Sequence, residues 1–408
     1  MIKALSSLIA GNFIGFLIGF GTIPFLSRIY SPTDFGQLAI FISFNSLIIA
    51  GACGRYDLAI IAANKNSEIK NLIDISIIIL TLSSFVWLVI ILTIKPFLRI
   101  HTNLSNIELL LSPIYVFASA GLEIFKYYYS KKKMYKYFSI ILISNAALLA
   151  IFPCMLKKFN FELNGLILGY VLSNSILFFV LAAQFNLLKR LKKVKYKRLL
   201  KAGKKYKSFL LFEAPSAVLN NLTLAAPNFF INYNFGSLIC GNFNLATRVV
   251  MTPYNIISQS IYQTSIRQLS QIANSGKSCK KAYLLYVFFL VFCCIPPTLI
   301  VLFFGDELII RFLGANWAVA GIILNVMILA FSVQFVASTL SGIIPVLGYP
   351  KYIAIWRLLS FFSIYVYFLF FNHQEWEKFF KNYSNLVLAL YGLYLWLSWK
   401  AACRPKIF

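Results

Sequence analysis

A chain of 408 residues is long enough for two or three soluble domains, but 60% hydrophobic, 17% aromatic and only 12% charged residues exclude an ordinary soluble core. A formal net charge of +26 suggests a nucleic-acid partner at first sight. The cations lie between hydrophobic runs rather than along one soluble face, however, so membrane topology accounts for them and no nucleic acid is expected.

A bilayer core about 30 Å thick needs about 20 apolar residues per helix, and the chain supplies such runs one after another. The first, 4–27, is longer than a signal-peptide core and has no A-x-A-like cleavage site before the next run, so it reads as a retained span. Eleven more follow, near 36–63, 72–94, 107–130, 138–156, 163–187, 209–231, 239–262, 282–304, 317–345, 352–371 and 383–399. The expected fold is therefore an all-α integral membrane protein of about twelve transmembrane helices. Pro24, Pro215, Pro227, Pro253, Pro296 and Pro297 fall within or at the edges of these runs, where bundled neighbours tolerate a kink. The seven cysteines form no C-x-x-C pair and have no histidine at metal-ligand spacing, so they read as small buried residues and no metal is expected. His101 and His373 both fall in polar gaps, which gives no support to a histidine-based site within the membrane.

Orientation follows from the gaps, since lysine and arginine collect on the cytoplasmic side. Lys131-Lys132-Lys133-Met134-Tyr135-Lys136 follows the fourth run, and the segment from Lys189 to Lys207 follows the sixth. Both gaps are even-numbered, so even gaps and both termini are placed in the cytoplasm, with 26 basic residues inside against 8 outside. The long basic gap divides the runs six and six. The expected organisation is an N-terminal lobe over 1–187, a basic cytoplasmic linker over 188–208 and a C-terminal lobe over 209–408. A weak internal echo agrees, because Pro24 and Gly36 in P-F-L-S-R-I-Y-S-P-T-D-F-G find counterparts in Pro227 and Gly241.

Four basic residues remain within the runs: Arg55, Lys126, Arg248 and Arg357. A charge near the bilayer centre costs about 2.5–3.5 kcal/mol on insertion scales, so it faces a bundle interior or a water-filled cavity unless it snorkels. Lys126 and Arg357 lie within about 10 Å of the cytoplasmic interface at 1.5 Å per residue, and snorkelling accounts for them equally well. Arg248 and Arg55 are deeper and are read as facing a cavity. Arg55 and Asp57 are two apart, about 200° around a helix, so they are not expected to share a face. Arg55 is assigned to the cavity, and Asp57 to a neighbouring helix or a coupling cation. Glu123 and Lys126, three apart, can neutralise each other. Glu213, beside Pro215, can bind a proton or cation or simply counter the basic linker. Several membrane cations, few acids and a lysine-rich cytoplasmic mouth favour an anionic solute, with a diphosphate the natural candidate for arginine forks. Asn45, Asn145, Asn174, Asn220, Asn221 and Tyr254 offer donors and acceptors for sugar hydroxyls, although asparagine also bridges helices.

Five stretches carry a resemblance: P-F-L-S-R-I-Y-S-P-T-D-F-G (24–36), R-Y-D-L-A-I (55–60), F-E-A-P-S-A-V-L-N-N-L (212–222), G-N-F-N-L-A-T-R-V-V-M-T-P (241–253) and G-A-N-W-A-V-A-G (314–321). In order and spacing the chain resembles the Wzx-type O-antigen flippases, in the polysaccharide transporter branch of the multidrug/oligosaccharidyl-lipid/polysaccharide (MOP) exporter superfamily. The resemblance implies two six-helix lobes around a central cationic cavity, a MATE-like fold. It implies a bacterial inner-membrane protein that turns an undecaprenyl-diphosphate-linked oligosaccharide from the cytoplasmic to the periplasmic leaflet by alternating access. Coupling to H⁺ or Na⁺, with no other cofactor, goes with it, as do membrane lipids, a polysaccharide polymerase and a chain-length regulator as partners. By the same resemblance Arg28, Arg55 and Arg248 become substrate-binding candidates, while Lys126 rests on its charge. Asp57, Glu213 and Glu123 are the candidates for ion coupling. Asp57 stands where the motif commonly has Glu, keeping the charge but shortening its reach.

Three rivals differ in what they need. A drug/cation antiporter of the same superfamily wants a cavity rich in carboxylates. A membrane polysaccharide polymerase wants a sizeable periplasmic loop, and no outside gap exceeds about a dozen residues. A scaffold has no use for deep arginines. No nucleophile, metal cluster or paired acid recurs on the outside gaps, so no catalytic residue is assigned.

Overall fold

A computed structural model describes residues 2–159, 163–187, 190, 196–275, 278–347, 349–370 and 375–403. His373 and residues 188, 189 and 191–195 of the expected linker lie outside the described residues.

The described residues are almost entirely helical, because apolar runs in lipid must satisfy every backbone group internally. Among the described residues ten helices are long and apolar enough to cross a membrane. One of them, Phe209–Gln259, is 51 residues long and spans two of the expected runs, and a shorter apolar helix covers Ile355–Phe370. Among the described residues every run expected from the sequence thus falls largely on helix in this multi-pass membrane protein, with 36–63 and 317–345 each interrupted by a turn. Its outer residues confirm the solvent: Phe303 and Phe370 are 75% and 76% exposed, which suits a face against acyl chains.

The chain forms two compact units, Met1–Gly241 and Asn242–Phe408. Their boundary falls inside a long helix rather than in the basic segment 188–208. The first unit contains α1 (Ile2–Ile29), α2 (Pro32–Gly51), α3 (Tyr56–Ala62), α4 (Asn66–Thr102), α5 (Asn106–Lys131), α6 (Tyr135–Leu156), α7 (Gly165–Gln184), α8 (Tyr196–Lys205) and the start of α9 (Ala214–Asn274). α1 packs on α6, and α5 packs on both α4 and α7.

Two S-x-x-D/E sequences set the helix starts at one end of this unit. Ser31 and Asp34 close a reciprocal capping box on α2, and Ser105 and Glu108 do the same on α5. Asn164, the N-cap of α7, joins them: its backbone N–H donates to Glu108 Oε1 at 3.1 Å, and its Nδ2 donates to the Asp34 carbonyl at 2.8 Å and to Gln37 Oε1 at 3.0 Å. At the same end α9 breaks at Gly236 (φ 79°), and the next turn meets the start of α2. A Cβ on Gly36 would lie 1.9 Å from the Ser237 carbonyl oxygen, and one on Gly241 would lie 1.8 Å from the Pro32 carbonyl oxygen. Backbone touches backbone here, an approach open only to glycine.

The second unit continues α9 and adds α10 (Lys280–Leu313), α11 (Ala318–Thr339), α12 (Ile343–Val346), α13 (Pro350–Phe370) and α14 (Trp376–Cys403). α11 packs against α10 and α14, and Trp317, just before its start, is fully buried. Hydroxyls and one indole reach across to carbonyls freed from water: Tyr394 Oη donates to Ser341 O at 2.9 Å, Ser384 Oγ to Val326 O at 2.9 Å and Trp356 Nε1 to Leu390 O at 3.0 Å.

Two expectations need correction. The run 36–63 is not one helix: α2 stops at Gly51, and a turn leads into the seven-residue α3. His101 lies in the last turn of α4 rather than in a gap, because that helix runs on to Thr102. Capping and tertiary contact set helix ends, whereas hydropathy locates only the part immersed in lipid.

Candidate functional site

The site of the first unit starts from that turn. Gly54 and Arg55 both take left-handed backbone angles, φ 59° and 58°, and Arg55 becomes the N-cap of α3. Glycine does so at little cost, but a side-chain-bearing residue held there stores about 1–3 kcal/mol of strain and is kept by its surroundings. The turn is packed in place: Ser83 Oγ donates to the Ala52 carbonyl at 2.9 Å, and Tyr56 Oη donates to the Gly203 carbonyl of α8 at 3.2 Å.

This geometry overturns the expected separation of Arg55 from Asp57. The argument of about 200° holds only along a continuous helix, and Arg55 is left-handed while Asp57 is in the first turn of α3. Both side chains line one cavity of about 270 Å³, together with Ser46, Tyr115, Glu123, Tyr127 and Asn221. Asp57 is only 5% exposed. Its Oδ1 and the Nε of Arg55 are buried without a hydrogen-bond partner, an arrangement that costs free energy unless something enters the cavity. No ion pair joins the two residues among those described. Burial raises the Asp57 carboxyl above the ordinary carboxylate range, and the Arg55 charge pulls it partly back.

Across the cavity, Ala120, Glu123 and Tyr127 share a face of α5 at helical spacing. Lys126 lies off this face and does not line the cavity, but its Nζ lies 2.8 Å from Glu123 Oε1. The expected local pair forms, so Lys126 neutralises Glu123 rather than standing as an independent cation. The charged lining is therefore one cation, Arg55, one acid with an unpartnered oxygen, Asp57, and the Glu123 carboxylate already paired with Lys126.

The other candidates lie elsewhere. Arg28 is in the last turn of α1, exposed and not part of this lining. Glu213 closes the short π-helical turn Phe209–Glu213 and is exposed. Arg248 belongs to the second unit, half-buried in α9, and Arg357 is exposed on α13. Among the candidate sugar ligands, Asn221 lines the cavity. Asn45 instead bridges helices, its Nδ2 donating to Phe41 O at 2.7 Å and its Oδ1 accepting from Ser112 Oγ, which itself accepts from Trp87 Nε1 at 2.9 Å. Asn145 and Asn174 bond each other at 3.3 Å, and Tyr254 bonds Ser332 at 3.1 Å. Sequence reasoning missed Tyr127 and Tyr115. The spacing of Tyr127 from Glu123, four residues, was the available signal. Among the described residues no group of three or more His, Cys, Asp or Glu is placed to hold a metal.

Comparison with known proteins gives the context of this site. Residues 25–321 match the family model described as polysaccharide biosynthesis protein. A search of the curated proteins finds no significant match. Among solved structures, the fold is similar to that of the lipid II flippase MurJ in an inward closed conformation, with a TM-score of 0.74 at 15% identity over 98% of this chain and 88% of that one. It is also similar to an inward-facing multidrug resistance MATE family transporter of the MOP superfamily, with a TM-score of 0.63 at 14% identity over 96% and 93%. A MOP superfamily transporter from Pyrococcus furiosus gives a TM-score of 0.65 at 13% identity over 100% and 97%. With the family model covering well over half of the chain and the fold that of MOP superfamily transporters, this protein belongs to the polysaccharide biosynthesis protein family.

Proposed function

We propose that the protein is a flippase that turns undecaprenyl-diphosphate-linked O-antigen repeat units from the cytoplasmic to the periplasmic leaflet by alternating access. The observation that carries this reading is Arg55: a cation held in a strained backbone conformation at a cavity wall, with Nε unpartnered, in a chain of the polysaccharide biosynthesis family. An arginine fork matches phosphate oxygens in two parallel bonds. Arg248 and Arg28 are proposed as further cationic contacts along the path. The fold shared with a lipid II flippase and with MATE transporters supports movement between two arrangements rather than bond-making.

Of the three coupling candidates, Asp57 is the one we assign to H⁺ or Na⁺. Its carboxylate is buried with an unpartnered oxygen, whereas Glu123 is paired with Lys126 and Glu213 is exposed. Proton binding there would remove the negative charge beside Arg55 and so strengthen its hold on an anion. The protein would sit in the bacterial inner membrane with both termini cytoplasmic, passing its product to a polysaccharide polymerase and chain-length regulator.

A drug/cation antiporter draws support from the two carboxylates in the cavity lining. One experiment separates the readings: complementation of a flippase-null strain by wild type, Arg55→Lys and Arg55→Ala, scoring surface polysaccharide with membrane expression in parallel. Rescue by wild type, loss with alanine and partial rescue with lysine is the expected pattern. Full activity of Arg55→Ala removes Arg55 from the binding path, and failure of wild type in the strain native to this polysaccharide overturns the flippase reading.

A further inference from the structure

α8 is built differently from the spanning helices. Of its ten residues Lys197, Arg198, Lys201, Lys204 and Lys205 are basic and exposed, while Ala202 is buried and Leu199 and Gly203 are half-buried. It is fixed to the rest of the first unit along that inner side. Lys205 pairs with Glu68 of α4, Tyr206 Oη donates to Glu68 Oε2 at 3.0 Å, and Tyr56 Oη reaches the Gly203 carbonyl. Arg190 pairs with Asp74 of α4 at 2.8 Å.

The chain immediately after α8 turns apolar and outward: Leu210, Leu211 and Phe212 are 42%, 58% and 73% exposed, where the next candidate span begins at Phe209. Leu200 on α8 itself is 47% exposed beside the cations. An amphipathic helix with a cationic face and an outward leucine, standing where the chain enters lipid, matches the headgroup layer of a bilayer. Of the exposed cations Lys205 already has a carboxylate, so Lys197, Arg198, Lys201 and Lys204 are the ones offered outward.

We propose that α8 is a docking face for anionic phospholipid headgroups, with Lys197, Arg198, Lys201 and Lys204 binding the phosphates and Leu200 seated at the acyl boundary. Each cation near a charged leaflet strengthens attachment about fivefold, and the attraction falls off within a Debye length of about 8 Å at physiological salt. The face lies one hydrogen bond, Tyr56 to Gly203, from the turn that holds Arg55. It is independent of which solute that turn binds.

The test titrates the full-length protein in detergent with phosphatidylglycerol or phosphatidylcholine and measures lipid retention by native mass spectrometry. Lys197→Gln/Arg198→Gln/Lys201→Gln/Lys204→Gln is compared with a charge-matched control at four exposed lysines elsewhere, Lys280→Gln/Lys281→Gln/Lys378→Gln/Lys381→Gln. Wild type and the control are expected to prefer phosphatidylglycerol, and the α8 variant to lose at least tenfold of that preference. Glycerol 3-phosphate is expected not to compete. Melting in phosphatidylcholine reports folding, and the milder Lys197→Gln/Lys201→Gln variant supplies the readout if the fourfold change unfolds. No preference in wild type, equal loss in the control, full retention in the folded α8 variant, or displacement by glycerol 3-phosphate overturns the proposal.

Discussion

Alanine at Gly36 adds a single methyl where the start of α2 meets the turn after the break in α9. That methyl would lie 1.9 Å from the Ser237 carbonyl oxygen and 2.7 Å from its carbon, whereas ordinary contact begins near 3.4 Å. The two segments must separate by about 1.5 Å, and the obstacle is backbone, so no rotamer change relieves it. A Cβ on Gly241 would lie 1.8 Å from Pro32 O and 2.8 Å from the Gly36 backbone nitrogen, so the same interface is tight from both sides. Overpacking of this kind costs about 1–3 kcal/mol, and for a unit of this size each kcal/mol lowers Tm by roughly 2–4 °C. Because either methyl forces the same separation, the Gly36→Ala/Gly241→Ala double variant is expected to lose less than the sum of the single variants. Thermal unfolding of the detergent-solubilised protein measures all three. A Gly36→Ala protein with wild-type Tm, or strictly additive losses, would refute this close approach as the reason glycine stands at both positions.

Arg55→Gly should separate strain from function: it relieves the left-handed conformation, raising stability by up to about 1 kcal/mol after allowing for the freer unfolded chain, while abolishing complementation. A destabilised or fully active glycine variant contradicts that assignment. The Lys126–Glu123 pair, 18% and 41% exposed, should show a coupling of only about 0.2–1 kcal/mol in a cycle of Glu123→Gln, Lys126→Met and the double variant. A value several times larger would mean that the pair is the organising contact of the cavity. For Asp57 the sign runs against the usual carboxylate. A raised folded value means that the folded protein holds the proton more tightly than the unfolded chain, so stability is highest below the unfolded value of about 3.9 and falls as pH rises through the folded value. Melting from acid to neutral pH should therefore decline more in wild type than in Asp57→Asn, and the reverse order would show that Arg55, not burial, dominates. Finally, Tyr56→Phe removes the bond to Gly203 and should cost about 0.5–1.5 kcal/mol in unfolding without changing the family fold.

Much of the molecule is set by sequence alone. Apolar runs of about twenty residues leave the backbone no option in lipid but helix, so span positions could be read before any coordinates, and the motifs around 24–36 and 241–253 pointed to the family. The Lys126–Glu123 pair was legible for the same local reason, since residues three apart on a helix are neighbours. The turn at 52–55 was not. Hydropathy stays high from Gly36 to Ala63, and nothing in a one-dimensional average distinguishes a continuous helix from one that stops at Gly51 and restarts at Tyr56. That break depends on Ser83, Tyr56 and α8 holding two successive left-handed residues in place, which is a matter of contacts distant in sequence. Tertiary structure therefore decided that Arg55 and Asp57 share a cavity, that Asn45 bridges helices while Asn221 lines the cavity, and that Gly36 meets the turn of Gly241. Periodicity fixes a side chain's direction only while the helix continues, and at the site the helix does not.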